Sequence, residues 1–548
     1  MKAGEKVFLI GVVSVICIVL ASLPTNEISR PWLGEESPVD WDNVVEDPDR
    51  IIDLDWVGIV NMTNGQDGCW MERNLEEKFN LKINPIFFDT NGFNKRLPLM
   101  LAGGDVPDVM WTGDPLGLIS NLNHGFIMEV PYELILKHAP TYVHYLNKYG
   151  RAAWLYSQSD GKNFGLPTFM SHQGGPRIGA WRLDWLRNVG IERIPETIDE
   201  MHDALYAIRN NDPDGNGEKD TYGWNPAIWH WSVFFAEIFS AYDVLAFDFV
   251  EVDGDVIWGG ITPGAKEALK TISQWYAEGL IDPDFLLVTN SSKDQRFVNC
   301  KSGYTFPLDP VIEYDVDVSG TNAYMIRQYA PNSEVVPAPP LRNAEGKRRG
   351  RSWGGAAHVM QFGKHLEKDP EKVIRVLKMF EAIAKDEKLY VETSSGKEGL
   401  HWAQDPKTNK MNLLPPYADE ELARTRELIK DGGFYSYFHF PSDLSVEYRE
   451  KYLDPDVIDF WNTNRNPDWA MVNVLGKTDI VKSAGRYING LRDFQMAAMT
   501  EIIVGSKELD SFDEFVVEWK RRGGELILKE ANEVYRMRDR VFEKVGAL

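Results

Sequence analysis

The sequence predicts an α/β protein of two lobes, joined by hinge crossings around a central ligand cleft. Three observations predict it. From Ile51 onward, short runs rich in Val, Ile and Leu alternate with amphipathic patterns, which implies a parallel or mixed sheet with helices on its faces. Two proline-bearing segments, Gly165-Leu166-Pro167-Thr168 and Val336-Pro337-Ala338-Pro339-Pro340, read as boundaries that are not central strands. After Leu341 the chain returns to strand and then to helix, and its last quarter is largely helical. A chain that builds one lobe, crosses to another and returns can close around a ligand by hinge motion.

The elements follow in order. Lys2 and Lys6 precede an apolar run, so residues 1–22 read as a signal peptide or an N-terminal anchor, with Val19-Leu20-Ala21 as a cleavage site. Ile16 stands before Cys17 where a lipidated chain needs a small residue. Residues 23–50, rich in Pro, Asp and Glu, read as a tether. A strand over 52–60, a helix over 70–79, a strand over 81–88, a helix over 93–101 and a short strand over 108–111 open the first lobe. A helix over 199–209 begins at the capping sequence Thr197-Ile198-Asp199-Glu200, and one over 263–278 lies between Thr262 and Gly279. A hairpin over 250–258 turns at Asp253-Gly254. Helices over 370–385, 512–521 and 525–545 follow. The expected lobes are 51–166 with 341–400, and 167–340 with 401–548.

Composition narrows the function. The 83 Asp and Glu exceed the 59 Lys and Arg, giving a formal charge of −24. That excludes the basic face a nucleic-acid partner requires, and it disfavours an anionic membrane surface. Three cysteines are too few for a disulfide framework, so Cys69 and Cys300 read as free thiols. The 18 Trp, 21 Tyr and 26 Phe are an aromatic excess that suits sugar binding, because aromatic rings stack on the apolar faces of saccharides.

Six segments in order carry a resemblance. They are residues 100–109 (Met-Leu-Ala-Gly-Gly-Asp-Val-Pro-Asp-Val), Gly165-Leu166-Pro167, Trp181-Arg182-Leu183-Asp184-Trp185-Leu186 followed by Pro195-Glu196-Thr197, then 212–220, 278–283 (Glu-Gly-Leu-Ile-Asp-Pro) and 396–402 (Gly-Lys-Glu-Gly-Leu-His-Trp). Over residues 50–548 the sequence resembles the extracellular solute-binding proteins of family 1, the saccharide-capturing subunits of ABC importers, including those that bind alginate oligosaccharides. The resemblance implies a two-lobe periplasmic-binding fold of type II kind, an oligosaccharide in the cleft, a membrane permease as partner and export as a monomer to the periplasm or the cell exterior. The chain departs from the family in lacking a lipobox and in carrying Lys397-Glu398-Gly399 where Ile-Glu-Gly is usual.

Residues 212–220 have the spacing of a calcium loop. Asp212, Asp214, Asn216 and Asp220 stand at relative positions 1, 3, 5 and 9, Gly217 supplies the sharp turn, and the Glu218 carbonyl can point inward. Gly223 occupies the position of the usual last carboxylate. A structural Ca2+ is the expectation; a metal-free Asp/Asn/Gly turn is the alternative.

For the cleft, the expected ligand-binding residues are Asn64, Trp111, Asp114, Trp181, Arg182, Trp229, His230, Trp231, Trp353, His401 and Trp402, on polar loops or next to crossings. Core packing is the competing reading for each tryptophan, and a salt bridge to Asp184 is the competing reading for Arg182. An acidic sugar would favour Arg177, Arg182 or Arg351 in the cleft, but nothing in the sequence selects an acidic sugar over a neutral one. No catalytic motif is present, so the protein is expected not to be an enzyme. A glycan-active enzyme working with two carboxylates, or a sugar sensor docking on a receptor, are the alternatives.

Overall fold

The computed structural model describes residues 38–60, 67–113, 115–226, 228–289, 294–308, 311–317, 320–423, 425–431, 442–443, 445–452 and 455–547. By internal contacts the chain divides into Met1–Asp40 and Trp41–Leu548, and every element below belongs to the second. The N-terminal apolar run, Asn64 and Asp114 lie outside the described residues. No helix among the described residues is long and apolar enough to cross a membrane.

In chain order the strands of the two main sheets are β1 (Ile52–Val60), β2 (Leu81–Asp89), β3 (Val109–Thr112), β4 (Leu166–Met170), β5 (Gly179–Arg182), β6 (Tyr222–Trp224), β7 (Ser302–Thr305), β8 (Val335–Ala338), β9 (Ala356–Phe362) and β10 (Ser442–Asp443). The first sheet has the order β10-β4-β9-β3-β1-β2 and the second the order β8-β5-β7-β6. β1 pairs in parallel with β2 and β3, because the helices Trp70–Phe79 and Thr90–Ala102 carry the chain back between strands. β9 runs antiparallel to both β3 and β4, so the sheet is mixed.

Alternation decides how β1 sits. Ile52, Leu54 and Trp56 are buried while Asp53 and Asp55 are exposed. The helix Glu371–Lys385 covers that sheet, and its Phe380 meets Trp56 edge-on at 6.3 Å. Each such buried side chain stabilises the fold by about 1.5–3 kcal/mol. Around the second sheet pack the helices Ile198–Asn210, Pro263–Ala277 and Ala484–Ile503. Thr197 and Thr262 cap the first two of these by accepting the Glu200 and Ala265 amides. The hairpin Phe249–Val252/Asp255–Trp258 turns at Asp253 and Gly254, both left-handed. Trp181, Trp185, Trp224, Trp258, Trp275 and Trp519 all lie in this second core, so much of the tryptophan excess is packing.

The chain passes between the sheets in adjacent segments. Gly350–Arg351 pairs in parallel with Ala470–Met471, and the Arg177 amide donates to the Arg351 carbonyl at 2.9 Å. A Cβ on Gly355 would stand 1.7 Å from the Tyr149 carbonyl oxygen, and one on Gly175 would stand 2.4 Å from that of Arg465. Only glycine allows these passages to lie so close.

Three expectations are corrected. Leu166–Met170 is a sheet strand despite Pro167: Pro167 pairs with Val359 of β9 where the ladder register shifts between Ala356 and Val359, an irregularity of the kind that accommodates proline. Val335–Ala338 is a strand as well, but at the sheet edge, in keeping with the expectation that Pro337 bars it from a central position. The tether is not free over its last residues. Arg50 forks onto Asp369 at 2.5 and 2.8 Å and reaches Glu371 at 2.9 Å, while Arg375 donates to the Asp47 carbonyl at 2.8 Å. The expected crossing at 401 does not occur there: Trp402 donates to the Gly396 carbonyl, Tyr452 reaches Glu387, and β10 pairs with β4, so this stretch packs with the first lobe.

Candidate functional site

A cavity of about 440 Å³ opens where the first sheet meets the crossing segments and the second core. From the first sheet come Gly113 just after β3, Met170 at the end of β4, and Ala356, Ala357 and His358 at the start of β9. The crossing contributes Arg351, Ser352 and Trp353, the second lobe contributes Trp231 and Asp248, and the C-terminal part contributes Asn473, Gly476, Lys477, Thr478, Asp479 and Arg492.

Its polar frame is buried and connected. Arg351 Nε donates to Asp248 Oδ2 at 3.0 Å, and Asn473 Nδ2 donates to Asp248 Oδ1 at 3.2 Å and to Thr478 Oγ1 at 3.1 Å. Arg492 lies 3.7 Å from Asp479. Burial pushes the guanidinium pKa values of Arg351 and Arg492 below the ordinary arginine value, against the opposing pull of Asp248 and Asp479. The aromatic frame is joined to the charged one. Arg492 sits over the Trp231 ring at 3.9 Å and Arg351 over the Trp353 ring at 4.2 Å, with the two rings edge to face at 5.7 Å.

The structure sorts the expected ligand residues. Trp231 and Trp353 line the cavity. His230 lies tilted beside Trp231 at 4.9 Å, Trp229 tilted beside His230 at 5.4 Å, and Trp111 stands behind the lining His358 at 4.8 Å. The His230 imidazole is held below its usual pKa by burial first and then by Arg492, Arg351 and Arg177.

Trp111, Trp229 and His230 are thus beside the cavity rather than in its lining, and four further residues pack elsewhere. Trp181 is 1% exposed and packs on Tyr304 at 4.5 Å. Arg182 forks onto Asp184 at 2.9 and 2.6 Å, so the ion-pair reading is the observed one, although the guanidinium is buried rather than on the surface. His401 is fully buried, with its ring accepting the Lys397 amide at 2.7 Å, and Trp402 is buried against Tyr452. Their motif is a closed turn within the first lobe.

Asp248, Lys477, Asp479 and Arg492 were not expected from the sequence. Arg492 left a signal: with Gln495 it interrupts the apolar stripe Ile488, Leu491, Ala498, Met499 and Ile502 of one helix.

The 212–220 loop keeps its oxygens together. Asp212 accepts the Asn216 and Gly217 amides at 3.1 and 2.9 Å, and Gly217 is left-handed. The Asn216 side-chain amide lies 3.1 Å from Asp214 and 3.3 Å from Asp220, and Lys301 pairs with Asp220. Partial burial and the neighbouring Asp212 raise the Asp214 carboxyl, whereas Lys301 lowers that of Asp220. Among the described residues no three His, Cys, Asp or Glu side chains are gathered closely enough to hold a metal. The donor set nonetheless fits a hard cation: the Asn216 amide stands against Asp214 and Asp220, Lys301 stands against Asp220, and a cation could take the place of both once the Asn216 oxygen gives up the Glu218 amide that it accepts at 2.6 Å.

No protein-family model matches the chain. It is 23% identical over 485 residues to the lipoprotein LipO of Bacillus subtilis, covering 84% of this chain and 88% of that one. It is also 23% identical over 505 residues to the polygalacturonan/rhamnogalacturonan-binding protein YtcQ of the same organism, covering 89% and 92%. An extracellular solute-binding protein of Bifidobacterium longum subsp. infantis superposes with a TM-score of 0.66 at 15% identity, over 90% of this chain and all of that one. The fold is that of the extracellular solute-binding proteins. An EF-hand mutant of the ABC-transporter substrate-binding protein FusA of Streptococcus pneumoniae shares it, with a TM-score of 0.58 at 20% identity over 89% of this chain and 99% of that one. In this solute-binding fold the cavity lies beside the crossings.

Proposed function

We propose that this protein is an exported solute-binding protein that captures an oligosaccharide by lobe closure and delivers it, as a monomer, to an ABC importer. The observation that carries the reading is the cavity beside the crossings, walled by Trp231 and Trp353 and framed by buried hydrogen-bonding groups. Aromatic rings suit the apolar faces of a sugar and the polar frame suits its hydroxyls. A ligand touching both lobes binds the closed state more tightly than the open one and so shifts the population toward it. A permease can then recognise the closed pair of lobe surfaces. Similarity to a lipoprotein and to a polysaccharide-binding protein supports export and saccharide capture.

A binding role also fits the carboxylates of the cavity. Asp248 accepts from Arg351 and Asn473, and Asp479 faces Arg492, an ion-paired frame rather than a pair of acids flanking a scissile bond. The reading includes a structural Ca2+ held by Asp212, Asp214, Asn216, Asp220 and the Glu218 carbonyl, supported by the donor spacing and by the EF-hand of a structural neighbour. The cation would neutralise clustered carboxylates and take no part in the capture itself.

Calorimetry of the protein against an oligosaccharide panel, with product analysis of the same samples, tests the reading. Binding without turnover is the expected result. Multiple-turnover cleavage would move the protein among glycan-active enzymes.

A further inference from the structure

The charge around the cavity runs against that of the molecule. Arg351, Lys477 and Arg492 line it against Asp248 and Asp479, in a chain of net charge −24. These cations are not surface decoration: Arg351 is 6% and Arg492 5% exposed. Nor is the donor capacity of the two arginines used up. Arg351 gives Nε to Asp248, yet its NH1 is buried with no hydrogen-bond partner, and the buried Nε of Arg492 also has none. Lys477 donates to two neutral main-chain carbonyls. A buried donor left unmade is costly, so a native site keeps one where a ligand completes it.

The tryptophans fix the cations. The guanidinium of Arg492 lies over Trp231 and that of Arg351 over Trp353, so one face of each ring already carries a positive charge. A neutral sugar offers hydroxyls that need donors and acceptors in similar number. This lining offers mostly donors in a fork geometry, which matches a planar carboxylate or a sulfate. The lowered pKa of nearby His230 has part of its cause in the same positive field, from Arg492, Arg351 and Arg177.

We infer that the captured saccharide carries an anionic group, a carboxylate or a sulfate, which seats on Arg351 and Arg492. The inference rests on the saccharide-capture reading and names the substrate class of that same cavity.

Calorimetry of the full protein tests it with three ligands of one length: an oligogalacturonate, the same oligosaccharide with its carboxyls reduced to hydroxymethyl groups, and a sulfated galacto-oligosaccharide. An anionic ligand binding at least about tenfold more tightly than the reduced one, and losing affinity between about 50 and 500 mM NaCl, is expected. Which anion binds separates uronate from sulfate. Arg492→Gln should lower anion affinity by about tenfold and neutral binding by less than about threefold. Its partner Asp479 is 24% exposed and tolerates the loss. Arg351→Lys keeps a charge beside buried Asp248 and serves as the second variant, with the same direction expected because it loses the fork. Equal or tighter binding of the reduced ligand overturns the anionic assignment and leaves saccharide capture standing. Failure of every saccharide, here and in the wider panel, overturns both.

Discussion

The Lys477 ammonium donates to the main-chain carbonyl of Ala357 at 2.6 Å, and to that of Gly113 as well. Both carbonyls belong to the first sheet or its immediate loop, whereas neighbouring Leu475 packs in the second core. One side chain therefore ties the two lobes at the edge of the cavity. Hydrogen bonds from a charged donor contribute about 1.5–3 kcal/mol each. Lys477→Met is expected to lower stability by about 2 kcal/mol in urea unfolding without ligand. A change below about 0.5 kcal/mol would mean that water replaces the tie.

Glu237 supplies a pH dependence of known sign. It is buried in the second core, where Tyr304 donates to it, and burial raises its carboxyl from the ordinary 4.5 to about 8. Between those values the folded protein holds a proton that the unfolded chain has released, so stability falls as pH rises through that window. Glu237→Gln keeps an acceptor for Tyr304 and removes the titration. The variant should gain on the order of 3 kcal/mol over the parent at pH 8 relative to pH 5, read by urea unfolding at both pH values. Parallel pH profiles for the two proteins would contradict the assignment.

The metal loop predicts an inversion. Without a cation, neighbouring Asp212 disfavours the charge of Asp214, which is part of why the Asp214 carboxyl is raised. Asp214→Asn removes that repulsion and also a metal ligand. In chelator the variant should melt at or slightly above the parent, and in millimolar Ca2+ several degrees below it, because bound cation stabilises only a site that can hold it. A parent melting temperature that Ca2+ and chelator leave equal would remove calcium from the account.

The fold was more legible than the site because the two rest on different signals. Hydrophobic alternation placed β1 and β2, and capping residues placed the helices at Thr197 and Thr262, since these effects are local in sequence. The segments that carry the family resemblance proved to be largely architectural. Asp108 accepts the Asp55 amide and faces Lys372 at 2.9 Å, and a Cβ on Gly165 would stand 2.3 Å from the Met360 carbonyl oxygen. His401 and Trp402 close a turn in the same way. The cavity is assembled from Gly113, Asp248, Arg351, Lys477 and Arg492, whose distant positions in the chain become neighbours only through the crossings. Proline misled for a related reason: Pro167 stands where the β4–β9 register shifts between Ala356 and Val359, an irregularity that no local pattern records.

Trp181 and Trp353 test that division between architecture and site. Trp181 is 1% exposed and packed on Tyr304, so Trp181→Phe should cost about 1–3 kcal/mol of stability and leave saccharide affinity within about twofold. Trp353 is 38% exposed, lines the cavity and carries Arg351 over its ring. Trp353→Ala should change stability by less than about 1 kcal/mol while weakening binding about tenfold, because it removes a ring face and releases the guanidinium it holds. Urea unfolding and calorimetry on the same preparations read both quantities. If Trp181→Phe weakened binding and Trp353→Ala did not, the ligand would have to sit against the second core rather than in the cavity beside the crossings.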